Sequence, residues 1–271
     1  MISIIVSFYE RLAHLKSCLD SLALCVNDFD EVVVTDDGSC SDTVDKLKEC
    51  IKRYDFPINH VWQPKKGFRV AAARNNGIRH ARGEYLIFFD CDFLVLPGAI
   101  KQHVKCSKNG WFVAGHCKYL PEDQTGMILD STISPDLLEN LYRQFPDRPI
   151  IKSHRRFIKR TILMRFRLTS HRKQSLGGHF SIFLRDIGRI NGYDENFMGW
   201  GGEDEDLGIR LVRAGIYCRS AIRSARVLHL WHPKQIGNKH WKQAPNIEYF
   251  RRKEIPVFCE NGLRKASTNP L

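Results

Sequence analysis

The sequence predicts an α/β fold, with a Rossmann-like, mostly parallel central sheet flanked by helices. Three observations carry that expectation. Strand and helix patterns alternate through the first hundred residues. The strands are near-continuously apolar, as strands covered on both faces must be. Two of them stop abruptly at acidic residues, at the carboxyl ends where such sheets keep their ligands.

The first strand is Ile2-Ser3-Ile4-Ile5-Val6, and residues 11–24 follow with helical spacing at Leu12, Leu15, Leu19 and Leu22. Glu31-Val32-Val33-Val34-Thr35 is a second strand, ending in Asp36-Asp37-Gly38-Ser39. A helix over 43–54, a strand over 58–62 and a helix over 70–81 come next. Tyr85-Leu86-Ile87-Phe88-Phe89 is the fourth strand, stopped by Asp90-Cys91-Asp92. The strand-end rule gathers Ser7, Asp36, Asp37, Asp90 and Asp92 around one crevice.

Beyond residue 100 the rhythm loosens. Residues 111–115 read as a strand, 121–150 as a helix between proline-bearing loops, 184–190 and 204–214 as helices, and 227–229 as a late strand. No internal repeat or low-complexity tract interrupts the chain, which is read as one domain over 1–271.

Composition narrows the class. Apolar content of 43% and charged content of 27% are ordinary for a globular protein of 271 residues. The N-terminal apolar run is too short for a signal peptide or a membrane span, so a cytoplasmic protein is expected. Nine scattered cysteines without a CxxC pair point to reduced thiols rather than a disulfide framework or zinc site.

The net charge of +12 is concentrated, because no Asp or Glu occurs between Arg148 and Arg185. Within 148–173 lie Lys152, Arg155, Arg156, Lys159, Arg160, Arg165, Arg167, Arg172 and Lys173, interleaved with Ile150, Ile151, Phe157, Ile158, Ile162, Leu163, Met164, Phe166 and Leu168. Such a segment is either a basic amphipathic helix on an anionic membrane or a solvated helix packed on the core. A nucleic-acid-binding module is the competing class. It lacks a recognised binding motif, and acids at the strand ends repel phosphate.

Four constellations carry chemistry. Asp90 and Asp92, two apart after a buried strand, can converge on one divalent cation. In Asp36-Asp37-Gly38-Ser39, an aspartate can accept from a base or ribose, or Asp37 or Ser39 can cap the next helix. Gly199-Trp200-Gly201-Gly202 precedes four consecutive acids, Glu203 to Asp206, where a helix dipole tolerates negative charge. Mutual repulsion suits one of them to general-base work. His229 and His232 at a strand end can add an imidazole to a metal held by Asp92.

Six segments then occur in order: VSFYER (6–11), TDDGS (35–39), ARNNG (73–77), DCD (90–92), GWGGEDEDL (199–207) and HLWH (229–232). Together they resemble the inverting GT-A glycosyltransferases of family 2, especially those with a galactosyltransferase-type C-terminal segment. Chondroitin-polymerase domains and β-1,4-galactosyltransferases are of this kind. The resemblance implies a GT-A fold, with residues 1–100 as the nucleotide-sugar half and 101–271 as the acceptor half.

It also implies residue roles. Ser7, Tyr9, Arg11, Asp37, Arg74 and Asn75 match nucleotide-facing positions. Asp90 matches the first acid of the DXD motif and Asp92 its metal ligand. Trp200, Gly202 and Glu203 match donor and acceptor sugar contacts, Asp204 the base, and His232 the second protein ligand to Mn²⁺ or Mg²⁺. His229 stands where the galactosyltransferases carry methionine, so its ligation departs from that pattern. The implied partners are a UDP-sugar donor and a glycan or lipid-linked glycan acceptor of bacterial surface polysaccharide or lipopolysaccharide, and no nucleic acid. The implied sugar is galactose or N-acetylgalactosamine, with glucose or N-acetylglucosamine next. A non-catalytic glycan-binding relative and a nucleotidyltransferase are the remaining alternatives. The retained acids oppose the first, and the missing glycine-rich phosphate loop opposes the second.

Overall fold

The computed structural model describes residues 1–171, 176–233 and 246–265. The first half follows the expected alternation. β1 (Ile2–Phe8), β2 (Glu31–Asp36), β3 (Ile58–Trp62) and β4 (Tyr85–Asp90) are separated by α1 (Leu12–Ala23), α2 (Ser41–Ile51) and α3 (Val70–His80). The four strands lie parallel in the order β3-β2-β1-β4. Ile4, Ile5 and Val6 of β1 are fully buried because α1 covers one face of the sheet and α3 the other. Leu15, Leu19 and Leu22 of α1 are equally inaccessible. Each such side chain contributes about 1.5–3 kcal/mol through burial.

The second half is mixed rather than parallel. It contains β5 (Phe93–Val95), α4 (Ala99–Cys106), β6 (Trp111–Tyr119), α5 (Glu122–Leu129), α6 (Pro135–Gln144), α7 (Arg148–Arg165), β7 (His179–Phe183), α8 (Leu184–Gly188), α9 (Glu203–Arg213), β8 (Tyr217–Ser220), β9 (Arg226–His229) and α10 (Ile247–Phe250). β7 enters antiparallel between β4 and β6, joining both halves into one sheet. β6 then changes partners along its length. Residues 111–114 pair with β8 and residues 116–119 with β9, so the sheet curls. This mixed, helix-flanked sheet agrees with the GT-A fold that the resemblance implies.

The expected single helix within 121–150 is instead two helices and the start of a third. Ser134 stops the run between them: its hydroxyl accepts from the Leu137 amide at 3.2 Å, and Pro135 opens α6. β5, β7, β8 and α4 were not expected from the sequence. No cysteine is bonded to another. Among the described residues, no helix is long and apolar enough to cross a membrane.

Two pairings position the chemistry. β1 and β4 register Ser7 beside Asp90, and β1 and β2 register Phe8 beside Asp36, so three strands end at one level. The short antiparallel pair β5–β9 sets Phe93 opposite His229, and the Leu230 amide donates to the Asp92 carbonyl at 2.8 Å. Residues 92 and 229–232, remote in sequence, are thereby held side by side.

Candidate active site

Arg74, on the buried face of α3, is the hub of the crevice. Its Nε donates to Ser7 Oγ at 3.2 Å, Nη2 to Asp90 Oδ1 at 3.1 Å and Nη1 to Asp204 Oδ1 at 2.9 Å. Glu203 Oε1 is 3.9 Å from the same guanidinium. A rigid fork suits this task, since one planar cation reaches three elements at fixed angles. The surrounding carboxylates hold Arg74 well above its ordinary proton affinity despite its burial. Tyr193, fully buried, donates its hydroxyl to Asp204 Oδ1 at 3.0 Å. Nothing in the sequence pattern singled out Tyr193.

The second cluster centres on Asp92, two residues after Asp90. Asp92 is 4% exposed, and its ligand atoms and those of His229 and His232 all lie within 4.8 Å of one another. His232 Nε2 is 3.1 Å from Asp92 Oδ2, and His229 Nε2 is 3.7 Å from Oδ1. Arg11 Nη1 reaches Asp92 Oδ2 at 3.2 Å. His232 Nδ1 lies 3.0 Å from the Pro233 carbonyl, which can hold the Nδ1 proton and leave Nε2, on the Asp92 side, as the nitrogen that would exchange its proton for a cation. Burial pushes the Asp92 carboxyl up, but the His232 hydrogen bond and the charges of His229, His232 and Arg11 outweigh it and leave it lowered. The hydrogen bond to Asp92 raises His232.

These residues fit a divalent cation. Asp92 Oδ1 and His229 Nδ1 are buried without any hydrogen-bond partner, which is costly for polar atoms in a native site. One carboxylate with two imidazoles offers the mixed oxygen and nitrogen donors that Mn²⁺ accepts.

The acids of α9 divide by environment. Gly202 precedes the helix with φ +95, a left-handed conformation costly for other residues. A Cβ there would also stand 3.0 Å from the Phe197 ring. Burial, then the charge of Asp204, pushes Glu203 up to about 8, against the pull of Arg74. Burial and Asp204 push Glu205 to about 7. Asp206 is structural: it is fully buried and accepts from Arg210 Nε at 2.6 Å and Arg252 Nη2 at 2.8 Å.

The model of glycosyl transferase family 2 matches residues 3–188. The chain belongs to this family. A second model, described as the N-terminal domain of galactosyltransferase, matches residues 160–233, which include the α9 acids and both histidines. Validoxylamine A glucosyltransferase of Streptomyces hygroscopicus subsp. jinggangensis is 33% identical over 80% of this chain and 52% of its own length. Chondroitin synthase of Escherichia coli is 27% identical over 95% of this chain and 39% of its own. The chain thus spans about half the length, or less, of these relatives. The crystal structure of GalNAc-T7 with UDP, GalNAc and Mn²⁺ superposes with a TM-score of 0.59 at 17% identity, over 86% of this chain and 44% of that one.

Other expected residues of this family 2 glycosyltransferase have partners apart from Arg74. Asp37 is buried, and both its oxygens are engaged, Oδ1 by Gln63 Nε2 at 2.8 Å and Oδ2 by the Arg69 amide at 2.7 Å. It therefore ties down the loop 63–69. Gly38 lets that loop approach, because a Cβ there would meet the Lys65 backbone at 2.6 Å. Lys65 Nζ stands 3.3 Å over the Tyr9 ring. Asp36 faces inward, accepting from the Ser39 amide and hydroxyl and lying 3.0 Å from His60 Nε2.

Neither Asp37 nor Ser39 caps α2. Glu10, with φ 58, reaches across from the β1–α1 turn to accept from the Cys40 amide at 2.6 Å and from the Thr43 hydroxyl. Trp200 is half-buried. Asn75 points away from the hub. Its amide spans the Tyr193 backbone, donating to the carbonyl at 2.8 Å and accepting from the amide at 2.9 Å, and it also donates to Glu195.

The loop carrying Tyr193 is held from its other side by the segment 259–264. Asn191 Nδ2 donates to the carbonyls of Cys259 and Arg264, and Asn191 Oδ1 accepts from the Arg264 amide at 2.7 Å. Arg79 bridges Glu195 and the carbonyls of Gly262 and Leu263. In the basic segment, α7 covers 148–165, while Arg172 and Lys173 lie outside the described residues.

Proposed function

We propose that this chain transfers a hexose or N-acetylhexosamine from a UDP-sugar to a hydroxyl of a glycan acceptor, free or lipid-linked, with inversion at the anomeric carbon. The observation that carries the reading is the reach of Arg74. One guanidinium touches Asp90, beside the cation cluster, and Asp204, at the start of α9. A donor diphosphate beside Asp90 and an acceptor hydroxyl at Asp204 would therefore be brought to one guanidinium, as a single displacement requires.

Asp92, His229 and His232 would hold Mn²⁺ or Mg²⁺. When bound, that cation supplies positive charge that stabilises the departing diphosphate. Ser7, Tyr9, Arg11 and Asp37 line the donor half within residues 1–100, and Trp200 and Glu203 belong to the acceptor half. Asp204 takes the proton of the acceptor hydroxyl at Oδ2, since Oδ1 is occupied by Arg74 and Tyr193. The acceptor oxygen bonds to the anomeric carbon as the bond to the diphosphate oxygen breaks. Glu203, held protonated near neutrality, donates a hydrogen bond to substrate rather than competing as the base.

The galactosyltransferase match over residues 160–233 supports galactose or N-acetylgalactosamine as the sugar. The similarity to a glucosyltransferase supports glucose next. A donor screen measuring UDP release from each UDP-sugar, with and without Mn²⁺, tests the reading. Turnover of one of these donors that depends on added cation is expected. No release from any of them, by folded protein with acceptor oligosaccharides present, overturns it.

A further inference from the structure

The helix α7 is apolar on two sides. Ile150, Phe157, Thr161 and Met164 are buried, and they pack on β6 and β8 with Thr161 donating to the Cys218 carbonyl at 3.2 Å. That contact accounts for one face. The opposite face carries Ile158, Ile162 and Phe166, spaced four apart and exposed by 43, 51 and 72%, with Leu168 at 71% just beyond. Such spacing aligns them in one stripe along the outside of the helix. A shallow apolar groove runs there, lined by Ile158, Ile162 and Leu163 and by the stems of Arg155 and Lys159.

The charge around the stripe is of one sign. Among the described residues, none of Lys152, Arg155, Arg156 and Lys159 is paired with a carboxylate, and α7 contains no acid. Arg223 adds further positive charge near His154 of the same helix. Four large apolar side chains in water cost solvation free energy that the rest of the fold does not recover.

We propose that the outer face of α7 docks this protein on a bilayer rich in anionic headgroups, with Ile158, Ile162, Phe166 and Leu168 in the headgroup–acyl boundary. Charge complementarity selects the occupant. A basic helix with an apolar stripe and no acids matches an anionic interface, where the apolar groups insert and the ammonium and guanidinium groups meet phosphates. A second copy would set two acid-free basic helices against each other. A nucleic acid would engage the basic groups and leave the stripe in water. The inference adds a location to the proposed transferase and does not depend on its chemistry.

Sedimentation with vesicles of phosphatidylglycerol and phosphatidylcholine, against phosphatidylcholine alone, tests it. Wild-type protein is expected to partition onto the anionic vesicles only. The double variant Arg155→Gln/Lys159→Gln should lose about 25-fold in partition coefficient, at roughly fivefold per basic group near the surface. The triple variant Ile158→Ser/Ile162→Ser/Phe166→Ser keeps every charge and should lose at least about tenfold. All three proteins should bind UDP equally, which separates failure here from failure of the transferase reading.

Equal partition onto neutral vesicles, or none onto either, overturns the proposal. So does a triple variant that binds like wild type while duplex DNA competes, because charge alone would then explain binding. A wild-type dimer that the triple variant dissolves would assign the stripe to a second copy and overturn it equally.

Discussion

Arg74 Nη1 and Asp204 Oδ1 are 2.9 Å apart although 130 residues separate them in the chain. This contact joins the carboxyl end of the sheet to the first turn of α9, and it neutralises acids that would otherwise repel one another. Arg74→Lys keeps one charge but cannot reach Ser7, Asp90 and Asp204 together. A fall of about 100-fold or more in kcat/KM, with a lower Tm, is expected from steady-state kinetics and thermal melts.

Asp204→Asn removes the proposed proton acceptor and preserves shape. General-base catalysis is typically worth about 10²–10⁴ in rate. Transfer should fall within that range while UDP affinity by calorimetry stays unchanged. Near-wild-type transfer by the folded variant would assign the base elsewhere.

Tyr193 touches Asp204 through a single hydroxyl, so it acts by positioning. Tyr193→Phe leaves the ring packing against Phe88 and deletes only the hydrogen bond to Asp204. A loss of about 3- to 10-fold in kcat follows, equivalent to about 0.7–1.4 kcal/mol. KM for the donor should hold. A change confined to KM would mean that Tyr193 serves binding instead.

Trp231 sits between the two histidines and offers a readout independent of turnover. Mn²⁺ should quench its fluorescence, and Trp231→Phe should abolish that component. His232→Ala should weaken the apparent Mn²⁺ affinity by at least about tenfold. His229→Ala should weaken it less, since its ring nitrogen stands 3.7 Å from Asp92 against 3.1 Å for His232.

Glu203 makes stability depend on pH. Its ordinary value of 4.5 is pushed up to about 8 in the fold. The folded chain therefore keeps this proton where the unfolded chain has released it. Stability from this group is present at low pH and declines as pH rises through that window. Glu203→Gln should flatten the Tm-versus-pH curve between pH 5 and 8 and raise Tm at pH 8. Each kcal/mol relieved is worth about 2–4 °C in a chain of this size. An unchanged slope would locate the effect in Glu205 or elsewhere.

The parallel half was legible because its strands are buried on both faces and read as unbroken apolar runs ending in acids. β7 hid because a buried His179 and Ser181 break the apolar pattern. β5 and β8, of three and four residues, offer too few positions for a period to stand out from the flanking sequence. In the candidate site, Asp90, Asp92, Asp204 and the two histidines stood out through their spacing. Asp92 and the histidines were expected to meet; what left no trace in the sequence is the β5–β9 register that brings them together. Tyr193 and Glu10 escaped notice since each works through one hydroxyl or carboxyl aimed across the fold, with no local pattern to announce it. Asn75 was legible as a motif residue, yet its amide is spent on the Tyr193 backbone.

The clasp between Asn191 and the segment 259–264 bears on how the molecule is made. A ribosome delivers the strands that end at Ser7, Asp36 and Asp90 early, and they can pack while synthesis continues. The turn that aims Tyr193 at Asp204 is fastened only after Arg264 has emerged. Nascent chains should therefore acquire their sheet well before that turn is fastened, so a chain cut short after residue 250 would be folded in large part and slowed.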